Sequence, residues 1–207
     1  MTQTRDGRFA AAIAQFDAAN AQDPNSDTSG GTSRPKEVVY ADRMSAMLER
    51  FVPAASEALL LAARCQHIER WKIPRSEYPQ TRAGYQQWRA SLRDFHADRA
   101  GGILRDVGYD DATIARVRAL IRKERMKSDP DAQALEDVVA LVFLENYLED
   151  FVATHADYDE AKFVDILQKT ARKMSARGRA AALEDISAPR ALRAVIANAI
   201  KAETAAS

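Results

Sequence analysis

Two histidines and an aspartate carry the chemistry most open to reading in this sequence. His67 follows an almost unbroken run of Ala and Leu in AASEALLLAARCQHIERW, Ala54 to Trp71. His96 flanks a stripe of Tyr85, Trp88, Leu92, Phe95 and Ile103, and Asp137 lies early in LEDVVALVFLENYLEDF, Leu135 to Phe151. An imidazole buried among apolar side chains needs partners for both ring nitrogens. The plainest source of partners is a neighbouring helix, which makes such a histidine a satisfied core residue. Three helices that each turn one nitrogen or oxygen inward are also how helical bundles build metal sites. Two imidazoles and a carboxylate suit a divalent transition metal with an open position for a reactive water. Without a metal, His67 and His96, oriented by Asp137 or Glu136, serve as general acid and base, with Glu69 as a further base.

The elements that must position these groups follow from periodicity. The Ala54–Trp71 stretch has no solvent face in its middle and is expected to run as a rod through the centre of a helical domain. The Leu135–Phe151 stretch repeats that design, so the two rods are expected to pack together and share a polar pocket. Around them, Asp6 caps a helix with Phe9, Ile13 and Phe16 inward, and DPNSDTSGGTSRP breaks it with a loop. Pro35 opens a helix that turns Val39, Met44, Met47, Leu48 and Phe51 inward, with Tyr40 and Arg43 at the edge of that face. The two prolines of KIPRSEYPQ impose an extended or turning path, and Thr81 caps a long helix after it. Gly101-Gly102 predicts a bend or a close helix contact in that helix, and Gly108 ends it. Asp110 or Asp111 starts the next helix, with Ile114, Val117, Leu120 and Ile121 inside. Its basic last turns, Arg122, Lys123, Arg125 and Lys127, complement the negative end of the helix dipole. Pro130 opens the second rod, His155 falls in the loop behind it, and two or three amphipathic helices finish the chain.

The expectation is therefore an all-α, single-domain helical bundle of about eight to nine helices. Residues 1–32 form an N-terminal helix and loop, and residues 33–204 the helical domain. The totals agree: 207 residues suffice for one well-buried core, with 46 % hydrophobic and 29 % charged residues. Thirty basic residues balance thirty acidic ones, so no global basic field gathers nucleic acid or an acidic membrane. The single Cys65 excludes an intramolecular disulfide. No apolar run reaches the roughly 18 to 20 residues of a membrane span, and the N-terminal sequence makes a poor signal peptide. A cytoplasmic protein without a nucleic-acid or membrane partner is expected. Its oligomeric state stays open.

Two resemblances add to this. From Tyr40 to Glu145 the chain resembles the HD superfamily of helical metal-dependent phosphohydrolases. His67 matches the first half of the His-Asp pair, His96 in FHADRAGGIL a later histidine, and Asp137 in LEDVVAL the final aspartate. The match departs where Ile68 stands in place of the paired aspartate and Tyr40 about where the first histidine belongs. Glu124 falls near another histidine position of that family, so the resemblance implies His67, His96, Glu124 and Asp137 as metal ligands in an HD-like core. More of the chain is similar to the family catalogued as domain of unknown function 4202. FDAANAQDPN, QHIERWKIPRSEYP, GYQQWRASLRDFH, LIRKE and LEDVVALVFLE carry that similarity. These phrases imply that Arg70, Arg75, Tyr78, Trp88, Arg89 and Lys123 belong with the histidines.

That set is heavy in cations. If they converge, Arg70, Arg75, Arg89 and Lys123, with Tyr40 and Arg43, make a pocket for a phosphate or carboxylate. Each is equally compatible with a solvated ion pair to a neighbour such as Glu69, Glu77, Asp94 or Glu124. The expectation is a phosphohydrolase-type enzyme acting on a small phosphorylated or anionic metabolite. The alternative is a catalytically silent anion- or nucleotide-binding protein of the same fold, with a polar cluster that is only a satisfied buried network as a third option.

Overall fold

Helices in this protein begin where a side chain stands ready to satisfy the first unpaired N–H groups. In the computed structural model, which describes residues 5–205 other than Gly30, Lys127 and Pro189, Ser56, Thr81, Asp110, Asp129, Asp159 and Ser175 each accept a hydrogen bond from a backbone N–H of the turn they open. Lys127 of the basic run and Gly30 of the first loop lie outside the described residues. The α-helices are α1 (Arg5–Asn20), α2 (Lys36–Phe51), α3 (Glu57–Arg64), α4 (Arg82–Asp106), α5 (Asp111–Arg122), α6 (Pro130–Asn146), α7 (Leu148–Thr154), α8 (Glu160–Lys173), α9 (Ala176–Glu184) and α10 (Arg190–Ala205), of which α2 and α7 open without such a cap. The β content among the described residues is one two-residue antiparallel pairing, Ser26–Asp27 with Arg34–Pro35, at the neck of the first loop. The protein is all-α.

Helix α3 lies at the centre, packed against α1, α2, α5 and α6, with Leu59, Leu61, Ala62 and Ala63 fully buried. α1 joins the same core through Ala12 and Phe16. α4 and α5 form a tight pair: at Gly101 a side chain would meet Arg118 at 3.0 Å, so the glycine allows a close helix contact and α4 passes through Gly101-Gly102 unbroken. Gly108, at φ +85°, closes α4 in the left-handed conformation that glycine adopts without strain. No helix among the described residues is long and apolar enough to cross a membrane.

Both expected rods are shorter than their hydrophobic patterns. The first ends as a helix at Arg64, and residues 65–69 form a buried, non-helical turn followed by a 3₁₀ turn, Arg70–Lys72. Burial of Cys65 and Ile68 continues through it, which is why the apolar pattern reads on past the helix end. The second divides at Tyr147 into α6 and α7. A change of direction without loss of burial leaves no mark on periodicity.

Asp137 holds two of these elements together. Its carboxylate accepts hydrogen bonds from the Ser175 N–H at 2.8 Å, the Ser175 hydroxyl at 2.5 Å and Gln133 Nε2 at 3.2 Å. Ser175 in turn caps α9, and a side chain at Gly178 would come within 2.6 Å of the Asp137 carboxyl carbon. The α6–α9 junction therefore turns on this carboxylate. Asp137→Ala leaves a buried N–H and a hydroxyl without their acceptor and should cost about 1 to 3 kcal/mol. For a chain of this size that lowers the melting temperature by roughly 2 to 4 °C per kcal/mol. A denaturant titration of the variant checks it; an unchanged midpoint would refute the capping role.

Candidate functional site

Residues 65–72, the N-terminal turns of α2, one side of α4, Lys123 and α6–α8 enclose a cleft of about 1080 Å³. The turn at residues 65–69 delivers His67 to it. The His67 ring stacks on Tyr40 with centroids 4.0 Å apart, and the Tyr40 hydroxyl donates to Gln66 Oε1 at 2.9 Å. Burial pushes the Tyr40 phenol up, so it stays a neutral donor. Arg70 Nη1 lies 3.3 Å from His67 Nε2. A guanidinium only donates, so Nε2 is the acceptor and the ring proton sits on Nδ1. Nδ1 faces Glu37 Oε2 at 3.8 Å. Burial, reinforced by the charge of Arg70, holds the His67 imidazole well below its ordinary pKa and hence neutral.

Glu37 is the acid of this group. It is 6 % exposed and lines the cleft, and its buried Oε2 has no hydrogen-bond partner among the described residues. Burial raises its carboxyl to about 7, against the counter-effect of Arg70. His96 stands behind His67 with ring centroids 5.9 Å apart. Its Nδ1–H donates to the Ile68 carbonyl at 2.7 Å, its buried Nε2 has no hydrogen-bond partner among the described residues, and burial lowers its pKa to about 3. His96 is outside the cleft lining and supports the turn that carries His67.

Cations complete the cleft. The Arg70 guanidinium lies 4.8 Å from the Trp88 ring centroid, and Trp88 Nε1 donates to the Ile73 carbonyl at 2.9 Å. Arg70 has no ion pair among the described residues; burial and the neighbouring charge of Arg89 both lower its pKa. Arg89, also in the lining, has no hydrogen bond or ion pair among the described residues either. Lys123, left-handed at φ 62° as α5 ends, pairs with Glu136, and both line the cleft. Burial lowers the Lys123 ammonium.

The remaining expected site residues are used elsewhere. Glu69, 4 % exposed, is held by Lys72 at 2.7 Å and Arg99 at 2.8 Å. Arg75 donates to the carbonyls of Tyr78 and Pro79 and so shapes its own loop. Arg43 pairs with Asp27 and lies over the Tyr147 ring. Asp137 is taken up in holding Ser175, the cap of α9, and Glu124 is exposed on the turn after α5. His67, His96, Glu124 and Asp137 therefore do not converge. Among the described residues no group of three or more His, Cys, Asp or Glu is placed to hold a metal ion. That donor set does not fit a divalent metal, and no chemistry is routed through one.

The sequence expectations omitted Glu37. It lies on the inward stripe of α2 with Ala41, Met44 and Leu48, and an acid on an apolar stripe was the available signal. They also omitted Lys36, Arg82, Lys162, Lys169 and Lys173 of the lining, which look like ordinary solvated charges until α8 is placed against the cleft.

Fold and site define an all-α protein with a deep, cation-lined cleft around a neutral imidazole and a buried carboxyl. A family model described as Domain of unknown function (DUF4202) matches residues 10–196, and the chain belongs to that family. No curated protein and no solved structure matches it.

Glu37 makes stability depend on pH. Unfolded, its carboxyl titrates near 4.5; folded, near 7. Between these values only the folded state holds the proton, so the contribution of Glu37 to stability falls as pH rises and levels off above about 7. The interval corresponds to about 3 kcal/mol at most. Glu37→Gln should remove this contribution and leave that of the buried neutral histidines, which has the opposite sign: the change in urea midpoint from about pH 5 to about pH 8 should be more positive in the variant than in the parent. Equal slopes in both would show that Glu37 keeps an ordinary carboxyl.

Proposed function

We propose that the cleft binds a small phosphorylated metabolite and hydrolyses it. The observation that carries this reading is that Arg70 and Arg89 line one cleft, repel each other and have no carboxylate partner among the described residues. Like charges held together destabilise a fold; at Arg70 the nearby Glu37 offsets part of that, and an anionic ligand relieves the rest. A guanidinium fork matches phosphate oxygens bidentately, and Lys123 adds a point charge beside it. In water such pairs are weak; in a partly desolvated cleft they are not.

Glu37 and His67 supply the acid–base pair. When a bound phosphate draws Arg70 away, Nε2 of His67 is left with a lone pair facing the cleft. Water attacking phosphorus gives its proton to that nitrogen, and the departing ester oxygen, on the far side of an in-line displacement, takes its proton from solvent in the open cleft. Glu37, whose Oε2 lies 3.8 Å from Nδ1 without bonding it, closes on the Nδ1–H as the imidazolium forms and stabilises that cation, the role of the acid in an acid–histidine pair. A carboxyl titrating near 7 is suited to that work near neutral pH. The cytoplasm, where phosphorylated metabolites are abundant, is part of this proposal.

A second reading, a binding protein without turnover, is favoured by the dispersal of the four expected metal ligands. Turnover separates the two. Phosphate release from a panel of phosphate monoesters that is lost in His67→Ala, while binding survives, supports the hydrolase; binding with no release by the parent supports the second reading.

Arg89→Ala tests the anion site itself. With no acid facing Arg89, the variant should be at least as stable as the parent without ligand. Loss of a charge-assisted contact should weaken phosphate-ester binding by roughly ten- to a hundredfold. Thermal shift reads both, since a ligand at a hundred times its Kd stabilises by about 2.7 kcal/mol. A variant that binds phosphate esters as well as the parent sinks the proposal.

A further inference from the structure

The cleft is larger and more cationic than a single phosphate needs. Its lining holds eight cationic side chains against the two acids Glu37 and Glu136, in a chain whose total charge is zero. Three of the eight, Lys162, Lys169 and Lys173, come from α8. Intervals of seven and four residues put them on one face of that helix. Over eleven residues the row extends about 16 Å. The row shares the cleft with Arg70, Arg89 and Lys123, and at its Lys173 end it lies near enough to Lys123 for the two charges to interact. At its other end Lys162 stands 5.8 Å from the Tyr158 ring. Its middle member, Lys169, pairs at 2.6 Å with Asp165, and both are largely exposed, so that pairing opens readily to a ligand.

An aromatic wall accompanies the row. Phe143 and Phe151 meet with ring centroids 5.8 Å apart, Phe151 and Tyr158 at 6.4 Å, and all three line the cleft. Tyr85, from α4, belongs to the lining too and is 48 % exposed, open to a planar ligand. The cleft's volume of about 1080 Å³ leaves room for a ring-containing molecule, since pockets for such ligands run from roughly 300 to 1,000 Å³. Cationic side chains tracking phosphates beside aromatic faces for bases is how proteins hold nucleotides without reading their sequence.

We infer that the ligand is a nucleotide with more than one phosphate: one phosphate sits on Arg70, Arg89 and Lys123, the others run along Lys173, Lys169 and Lys162, and the base lies against the aromatic wall. This rests on the phosphate reading of the cleft and adds the ring and the further phosphates to it.

Titration calorimetry of the full chain with adenosine 5′-monophosphate, adenosine 5′-triphosphate and inorganic tripolyphosphate tests it. The triphosphate nucleotide should bind at least about tenfold tighter than either of the others, the first for its charge and the second for its ring. Lys162→Ala combined with Lys169→Ala, both at exposed positions, should bring the triphosphate nucleotide close to the monophosphate and leave the monophosphate unchanged. Equal affinity for the two nucleotides, equal affinity for the triphosphate nucleotide and tripolyphosphate, or equal weakening of both nucleotides by the double variant overturns the inference while monophosphate binding keeps the phosphate site. No binding by any of the three overturns both.

Discussion

Everything in the cleft is referred to one strained turn. Glu69 sits in the left-handed region at φ 52°, a conformation that costs a non-glycine residue on the order of 1 kcal/mol and persists only where its surroundings fix it. Here they do. Asn20, 1 % exposed at the end of α1, accepts the Glu69 N–H at 2.9 Å through Oδ1 and reaches the Glu37 carbonyl at 3.5 Å through Nδ2. The Glu69 carboxylate is clamped by Lys72 and Arg99, and His96 holds the Ile68 carbonyl from α4. One buried asparagine thus sets the turn bearing His67 and Arg70 against the helix bearing Glu37. A buried polar network of this kind is worth having only when its members are satisfied. In this one the open valences are Glu37 Oε2 and His96 Nε2, on either side of His67.

Charge is segregated rather than scarce. Elsewhere on the surface the cations pair off with acids: Arg116 with Asp129 and Asp131, Arg122 with Asp94 and Asp98, Arg64 with Asp17 and Asp42. Such exposed pairs contribute little each. What they achieve collectively is to use up the acids outside the cleft, so that its cations face few carboxylates. A balanced total charge therefore hides a strongly positive interior, and a sum over the sequence says nothing about it.

How far the sequence could be read depends on the kind of signal each feature leaves. Caps and turn glycines are local chemistry, so Thr81, Asp110, Pro130 and Gly108 mark their boundaries correctly. Burial is periodic, so the core faces of α2, α5 and α6 are legible. The break in the first rod is not, because residues 65–69 stay buried while leaving the helix; a turn held by a distant asparagine has no local signature. The same reason divides the arginines. Arg70 and Arg75 stand five residues apart in one phrase, and composition treats them alike. Both open a 3₁₀ turn, Arg70–Lys72 and Arg75–Glu77, but the carbonyls of Tyr78 and Pro79 turn back on the Arg75 guanidinium, whereas among the described residues no backbone carbonyl accepts from that of Arg70. The roles of Glu37 and the α8 lysines depend on which helix faces which, and no single stretch records that.

The remaining question is why an arginine without an acid partner should stay in place. Trp88 answers it. Its indole N–H is fixed to the Ile73 carbonyl, so the ring cannot swing, and the Arg70 guanidinium lies over its face. A cation over an indole gains on the order of 1 to 2 kcal/mol as it is desolvated, and the ring also limits the plane in which the fork can lie. Ordering a long side chain at the moment of binding costs about 0.5 to 1.5 kcal/mol. Part of that ordering is already accomplished here before a ligand arrives. The stacking thus does two things at once: it compensates for the missing carboxylate, and it leaves the donors of Arg70 oriented but only lightly engaged, through a single contact to His67. An ion pair in the same position would have stabilised the fold more and left nothing to bind with.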